Sequence, residues 1–431
     1  MTYDILGIGL GPFNLGLAAL AADIPKLSTV FIDQQASFNW HPGLLLPGAR
    51  LQVPFYADLV TLANPQSRFS YFSFLHAKQR LFRFGVQDNP FPLRREYNEY
   101  GQWVAGQLPN LYFGHRCTSI HYTEQTKEYG VTVSDIKTSE TKTFHAKHVV
   151  IGIGSQPFLP ECARYLGHPA TIHASDYGYK REQFIQMARI TLVGSGQSAA
   201  EIFQDLLANG NGSQEISWFT RSPRFFPMDV SPGALEMSTP DYIDYFYQLP
   251  AAARAQVLEG QDSLYKGING GLLRALYEQL YERALSSTDG PVQLNPNQEL
   301  KQVISEGSTL QLVFEQVEAQ TNFSYRTDAL VLATGYRDST PAFLTPIRDR
   351  IRWTQAGRYN PSRHYSITAD DTLFVQNAER HSHGFNSADL SLGPYRNAII
   401  LNVILGYDHF ALETGVAFQT FGQPEMRSSK K

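Results

Sequence analysis

Between Ile5 and Ala22 the chain carries no charged side chain, and the stretch GIGLGPFNLGLAALA is apolar at most positions. That is nearly the length of a signal-peptide core or a membrane span. Only Met1-Thr2-Tyr3-Asp4 precede it, without the basic residues of a signal peptide. Gly7, Gly9, Gly11, Pro12 and Asn14 in its first half suit a turn better than a spanning helix. The pattern predicts a short buried strand ending at Ile8, a glycine turn, and an apolar helix continuing from Leu15 to Ala22. Such a helix N-terminus attracts phosphate, which makes Gly7, Gly9, Gly11, Pro12 and Asn14 the candidate contacts of the first dinucleotide. LSTVFIDQ is then a second strand ending in Asp33, where an acid grips a ribose 2′-hydroxyl. Pro12 stands where the third glycine of GxGxxG would fall.

ARITLVGSGQSAAEIFQDLL repeats the design, with strand Ile190 to Val193, turn Gly194-Ser195-Gly196-Gln197-Ser198-Ala199 and helix Ala200 to Leu207. Ala199 replaces the third glycine, which serves only close helix–strand packing. The next strand, EISWFTRS, ends in Arg221 instead of an acid. Asp33 and Arg221 stand at nearly the same distance from their glycines. An acid repels a 2′-phosphate and a guanidinium pairs with it. The second site is therefore expected to hold NADPH, with Arg224 a secondary contact, and the first a dinucleotide without that phosphate. Arg221 as a solvated loop residue is the plainer alternative.

Two unlike dinucleotide sites in one chain imply electron traffic, and FAD is the natural partner of NADPH. HVVIGIGSQPFLP and DALVLATGYRD each run a buried strand into a glycine turn where the chain crosses between nucleotide domains. Asp328, Thr334 and Gly335 are candidate FAD contacts there, or plain strand ends. The fold class expected is α/β, with two Rossmann-like dinucleotide-binding domains and a small, mainly helical substrate domain.

Composition narrows the chemistry. The 431 residues are 42% hydrophobic and 18% charged, with a formal net charge of -4 and no basic cluster that would suit nucleic acid. Cys117 and Cys162 form neither a CxxC nor a metal spacing, so they read as reduced thiols of a cytosolic protein. A flavin disulfide reductase would need a redox cysteine pair, which this chain lacks. A monooxygenase that forms a C4a-hydroperoxyflavin asks for a dry pocket and an uncharged nucleophile, so no Ser/His/Asp or metal constellation is needed. The FxGxxxH segment of Baeyer–Villiger enzymes is absent.

GIGLGPFNL, FNWHPG (38–43), RLQVPFYADLVTLANPQS (50–67), FLHAKQRL (74–81), GSGQSAAE, DALVLATGY and HSHGFNSADLSLGPYR (381–396) together resemble the microbial N-hydroxylating flavin monooxygenases of siderophore biosynthesis. These act on lysine, ornithine or small diamines, and the family usually has proline at the position of Pro12. The resemblance implies an FAD-binding domain over 1–168 and 328–431. It implies an NADPH-binding domain over 169–230 and 295–327, and a substrate-binding helical region over 231–294. The segment 381–396 would contact substrate. It also implies that Trp40, His41 and Leu392 line the FAD site and that Gln52, the candidate catalytic residue, hydrogen-bonds near the isoalloxazine or NADP+. Asn269 lies near the family's substrate asparagine, though the alignment there is loose. The quaternary state implied is a homo-oligomer in the cytoplasm, with no membrane span.

QVPFYADL carries the substrate question. The amino-acid hydroxylases resemble Q-x-x-x-x-K-D-L, whose lysine pairs with the substrate α-carboxylate, but here that position is Ala57. A buried carboxylate without its cation costs several kcal/mol on a rough scale. The expected substrate is therefore a diamine, cadaverine or putrescine, oxidised with molecular oxygen. The alternative is that Lys78 or Lys266 supplies the cation and lysine or ornithine is the substrate. Asp389 is the candidate for the distal ammonium, with Ser391 beside it, against a simpler role as helix N-cap. His41, His381 and His383 read as structural hydrogen-bonders. A non-catalytic NADPH sensor is the alternative outside the enzyme class.

Overall fold

The computed structural model describes residues 1–210, 212–285 and 290–423. Its first sheet is parallel around the N-terminal strand Thr2–Ile8, which pairs with Thr29–Ile32 on one side and Thr141–Ile151 on the other. Leu111–Tyr112 and Leu373–Val375 extend the parallel part. The N-terminal half of Thr141–Ile151 turns to an antiparallel meander with Glu128–Asp135 and His115–Thr123. Alternation along the first strand explains its two faces. Leu6 and Ile8 join the meander-side core, while Ile5 packs with the helix Pro12–Ala21. Gly7 is forced: a Cβ there would lie 2.1 Å from the Phe31 ring of the neighbouring strand.

The second sheet is fully parallel, in the order Val292–Asn295, Glu215–Phe219, Arg189–Val193, Ala329–Leu332, Thr171–His173. Two boundaries expected from sequence therefore shift. Val292–Asn295 is an outer strand of this sheet, not the end of a helical region. The second unit also runs past residue 327, because Ala329–Leu332 pairs with strands on both sides. Asp328 consequently opens a strand, at the end away from the glycine loop, and binds Arg189 at 2.7 Å. It is an ion-pair residue and not a dinucleotide contact.

The chain crosses between the sheets twice, and the crossings pair as a short antiparallel ribbon, Gln156–Pro157 with Tyr336–Arg337. The helical region is divided between the two units. Helix Gly270–Ala284 adds Leu276 to the core that holds Ala199, Phe203 and Trp218. Helix Pro240–Gln248 instead packs Tyr242 and Phe246 against Phe385. Among the described residues no helix is long and apolar enough to cross a membrane.

Candidate active site between two glycine loops

The first loop is built to bring backbone close to backbone. Gly9 has φ +87°, and a Cβ on it would strike the Gly152 carbonyl at 2.5 Å. Gly11 is the N-cap of helix Pro12–Ala21 and a Cβ there would meet nothing within 4 Å, so the helix N-terminus is open to a ligand. Pro12 occupies a first-turn position, where its missing N–H costs no helix bond. Asn14 is fully buried. It donates to Gly9 O at 2.8 Å and accepts from Gln376 at 2.7 Å, so its side chain braces the loop instead of facing a dinucleotide. Asp33 accepts from Leu10 N at 2.6 Å and Gln35 N at 2.7 Å, placing its carboxylate against the loop. Burial pushes its pKa up.

The second loop follows the same logic with a different neighbour. Gly194, φ +138°, would press a Cβ to 2.2 Å from Ala333 O. Gly196 caps helix Gln197–Asn209, and Ser195 Oγ lies 3.3 Å from Ser222 Oγ. Arg221, next to Ser222, is exposed. Thr334 donates to Phe158 O, and Gly335 O accepts from Phe158 N at 2.9 Å. Both residues follow Ala333, so they sit beside the second loop, at the start of the crossing ribbon. The first loop's counterpart is Gly152-Ile153, in the glycine turn of HVVIGIGSQPFLP.

Trp40 packs on His41 with ring centroids 4.7 Å apart, and its main-chain N–H donates to Asn98 Oδ1 at 2.7 Å. His41 lies edge-on to Tyr336 of the crossing ribbon, and burial, then Arg94, lowers its pKa to about 4. Gly43 of FNWHPG is required because a Cβ would fall 1.8 Å from Ser175 O of the other unit. His381 meets Tyr359 O at 2.7 Å, and His383 meets Ser382 Oγ at 2.9 Å and Arg363 O at 3.2 Å. These two are structural, as expected.

Between the loops the units meet at Gln52. Its segment hangs on 90–92 through Leu51 N to Pro92 O at 2.9 Å and Phe55 N to Pro90 O at 2.8 Å. The Gln52 Nε2 lies 3.4 Å from Gln197 Oε1, 3.4 Å from Gly267 O and 3.5 Å from Met228 Sδ. Asn269 N donates to the same Gln197 oxygen at 2.8 Å, while its side chain caps helix Gly270–Ala284 through Leu272 N at 3.1 Å. Gln197, the first residue of its helix, donates to Glu201 at 2.9 Å. Glu201 in turn makes a buried two-pronged pair with Arg94, at 2.6 and 2.8 Å. The structure thus gathers Gln52, Gln197 and Asn269. Met228, Arg94 and Glu201 went unmarked in the sequence, where nothing local signals a pairing across so many positions.

Ala57 is buried, and the following Asp58 is spent on Val60, Thr61 and Tyr71. Lys78 pairs with Glu99 at 3.1 Å and Lys266 with Asp262 at 2.7 Å, so both alternative cations already have acid partners. Asp389 Oδ1 accepts from Ser391 N at 2.9 Å and Ser391 Oγ at 2.8 Å, a local turn ahead of helix Leu392–Leu405. Leu392 starts that helix and is buried. A Cβ on the next residue, Gly393, would lie 2.9 Å from the Phe13 ring, so the helix N-terminus stands beside the first glycine loop.

Residues 1–338 match the family model described as L-lysine 6-monooxygenase/L-ornithine 5-monooxygenase. A putrescine N-hydroxylase of Shewanella oneidensis is 42% identical over 430 residues, covering 100% of this chain and 86% of that protein. A second putrescine N-hydroxylase, from Acinetobacter baumannii, is 40% identical over 421 residues, 97% of this chain and 93% of its own. The crystal structure of the FAD-bound cadaverine monooxygenase of desferrioxamine biosynthesis from Erwinia amylovora superposes with TM-score 0.95 at 40% identity, covering 99% and 100% of the two chains. The first glycine loop has the open helix N-terminus that a dinucleotide pyrophosphate requires, and at the second a Cβ on Gly196 would meet only Lys266 O, at 3.5 Å. The chain belongs to the L-lysine 6-monooxygenase/L-ornithine 5-monooxygenase family and is an N-hydroxylating flavin monooxygenase.

Proposed function

We propose that the protein N-hydroxylates one amine of an aliphatic diamine, putrescine or cadaverine, to supply a hydroxamate siderophore precursor. The observation that carries this reading is Ala57, a small buried side chain where the amino-acid hydroxylases hold a carboxylate-binding lysine. The acid partners of Lys78 and Lys266 support it, as do relatives named for putrescine and cadaverine.

FAD, when bound, supplies reduction of oxygen to a form that an amine can attack. Residues of this chain do the rest. Gly9, Gly11 and the helix starting at Pro12 hold its pyrophosphate, and Asp33 its ribose. Trp40, His41 and the helix start at Leu392 flank it. Gly194 to Ser198 hold the NADPH pyrophosphate, with Arg221 on the 2′-phosphate. Gln52 hydrogen-bonds near the isoalloxazine or NADP+, its amide nitrogen held by Gln197, whose oxygen Asn269 N also binds. Asp389 keeps one carboxylate oxygen beyond its turn bonds for the distal ammonium, with Ser391 beside it. The reacting amine must be neutral to attack, and desolvation among apolar walls lowers its pKa. The working form is a cytoplasmic homo-oligomer, a placement supported by two free cysteines and by the family resemblance.

Hydroxylamine formed from putrescine, cadaverine, ornithine and lysine tests the reading. Diamine turnover should dominate, and a wide preference for either amino acid would contradict it.

A further inference from the structure

Among the described residues, Met228 is the one sulfur in contact with the Gln52 amide, at 3.5 Å. Its place is fixed by main chain: Met228 N donates to Ile268 O at 2.7 Å and Ile268 N to Phe226 O at 3.0 Å. Gly267 allows this approach, because a Cβ there would lie 2.3 Å from Met228 N. Met228 is partly buried, neither sealed in a core nor fully exposed. Met187 and Met237 are also partly buried, but Met187 packs at the second core and Met237 among the Tyr242 aromatics, away from Gln52. A thioether is a soft nucleophile and is readily oxidised to the sulfoxide.

We propose that Met228 is a self-oxidation site. When NADPH is consumed without an amine, NADPH, a proton and oxygen give NADP+ and hydrogen peroxide. The sulfur lone pair of Met228 attacks one peroxide oxygen, the O–O bond breaks, an S–O bond forms, and the departing hydroxide takes the proton of the attacked oxygen to leave as water. Sulfur loses two electrons and the peroxide gains them. The sulfoxide oxygen is a far stronger acceptor than the thioether, and it would capture the Gln52 amide. The enzyme would thereby switch itself off when it lacks substrate.

Holoenzyme is incubated with NADPH and air, without amine, in the presence of catalase, and its peptides are weighed over time. The Met228 peptide should gain one oxygen before the Met187 and Met237 peptides do. The gain should persist with catalase, which removes only peroxide that has escaped, and disappear when the amine being hydroxylated is added. In parallel, Met228→Leu should hold its own starting rate through amine-free turnover while the parent decays. Oxidation of all three methionines at one pace, full protection by catalase, or parallel decay of Met228→Leu would overturn the proposal. NADPH oxidation that leaves Met228 untouched sinks it alone, whereas a preparation that oxidises no NADPH brings down the flavin assignment as well.

Discussion

Gln52 and Gln197, 145 positions apart and in different units, meet amide to amide at 3.4 Å, and Asn269 N shares the Gln197 oxygen at 2.8 Å. One side-chain carbonyl therefore ties together three segments that the proposed function places around the reaction. Replacing Gln197 with alanine removes that acceptor and leaves the Asn269 N–H without it. A lost hydrogen bond of this kind costs about 1–3 kcal/mol, or roughly 5- to 150-fold. Gln197→Ala should lower hydroxylamine formed per NADPH by a factor in that range while NADPH oxidation continues. An unchanged ratio would show that Gln197 does not orient Gln52.

Arg94 and Glu201 join the units beneath this cluster, with side chains only 10% and 3% exposed. Removing one partner of a buried pair typically costs about 3–5 kcal/mol, because the other charge stays buried alone. Glu201→Ala should lower the melting temperature clearly. The double variant Arg94→Met/Glu201→Leu should recover most of the loss, since apolar replacement of both partners is near neutral. Equal losses in both proteins would mean that shape, not charge, matters at this contact.

Arg221 stands exposed at the end of its strand, beside Ser222 and the second glycine loop. A charge-assisted bond to a 2′-phosphate is worth about 1.5–3 kcal/mol, so Arg221→Ala should cut kcat/KM for NADPH by about 10- to 100-fold. NADH lacks that phosphate and should be used as before. A parallel fall with both cofactors would place Arg221 elsewhere in the scheme.

His41 titrates at about 4 in the folded chain, held down by burial and then by Arg94, against about 6.5 when unfolded. Between these values the unfolded chain binds a proton that the folded chain refuses, so stability rises with pH across the window. It is fully present above about 6.5 and lost as pH falls toward 4, by at most about 3 kcal/mol. Melting curves from pH 7 to 4.5 should therefore fall more steeply for the parent than for His41→Gln. Buried carboxyls whose pKa is raised, such as Asp33 and Glu379, act in the opposite sense in both proteins. Parallel curves would show that His41 is not the group held neutral.

Much of the frame was legible because backbone chemistry announces itself. Gly9 and Gly194 need their φ and their clearance, and Asp33 and Arg221 follow at the spacing a strand–helix–strand unit dictates. Side-chain duties were less legible. Asn14 looked like a ligand contact within its motif, yet its amide is consumed by Gly9 and Gln376, a partner 362 positions away. Asp389 looked like an ammonium receptor, and the structure adds a turn with Ser391 that uses one of its oxygens. Asp328 read as a crossing residue because the strand after it was taken for the first sheet, and pairing with Arg189–Val193 reverses that. Glu201 closes the GSGQSAAE motif, but nothing in the motif points to Arg94, so only three-dimensional proximity reveals their pairing.

The central claim is that Ala57 removes the carboxylate anchor and leaves a site for a chain with nitrogen at both ends. The most direct measurement is the ratio of kcat/KM for putrescine or cadaverine to that for ornithine, scored as hydroxylamine, in the parent enzyme and in Ala57→Lys. The ratio should stand far above one in the parent and fall at least about tenfold in Ala57→Lys, the scale of one charge-assisted bond. A parent that prefers ornithine, or a ratio that Ala57→Lys leaves untouched, would contradict the claim.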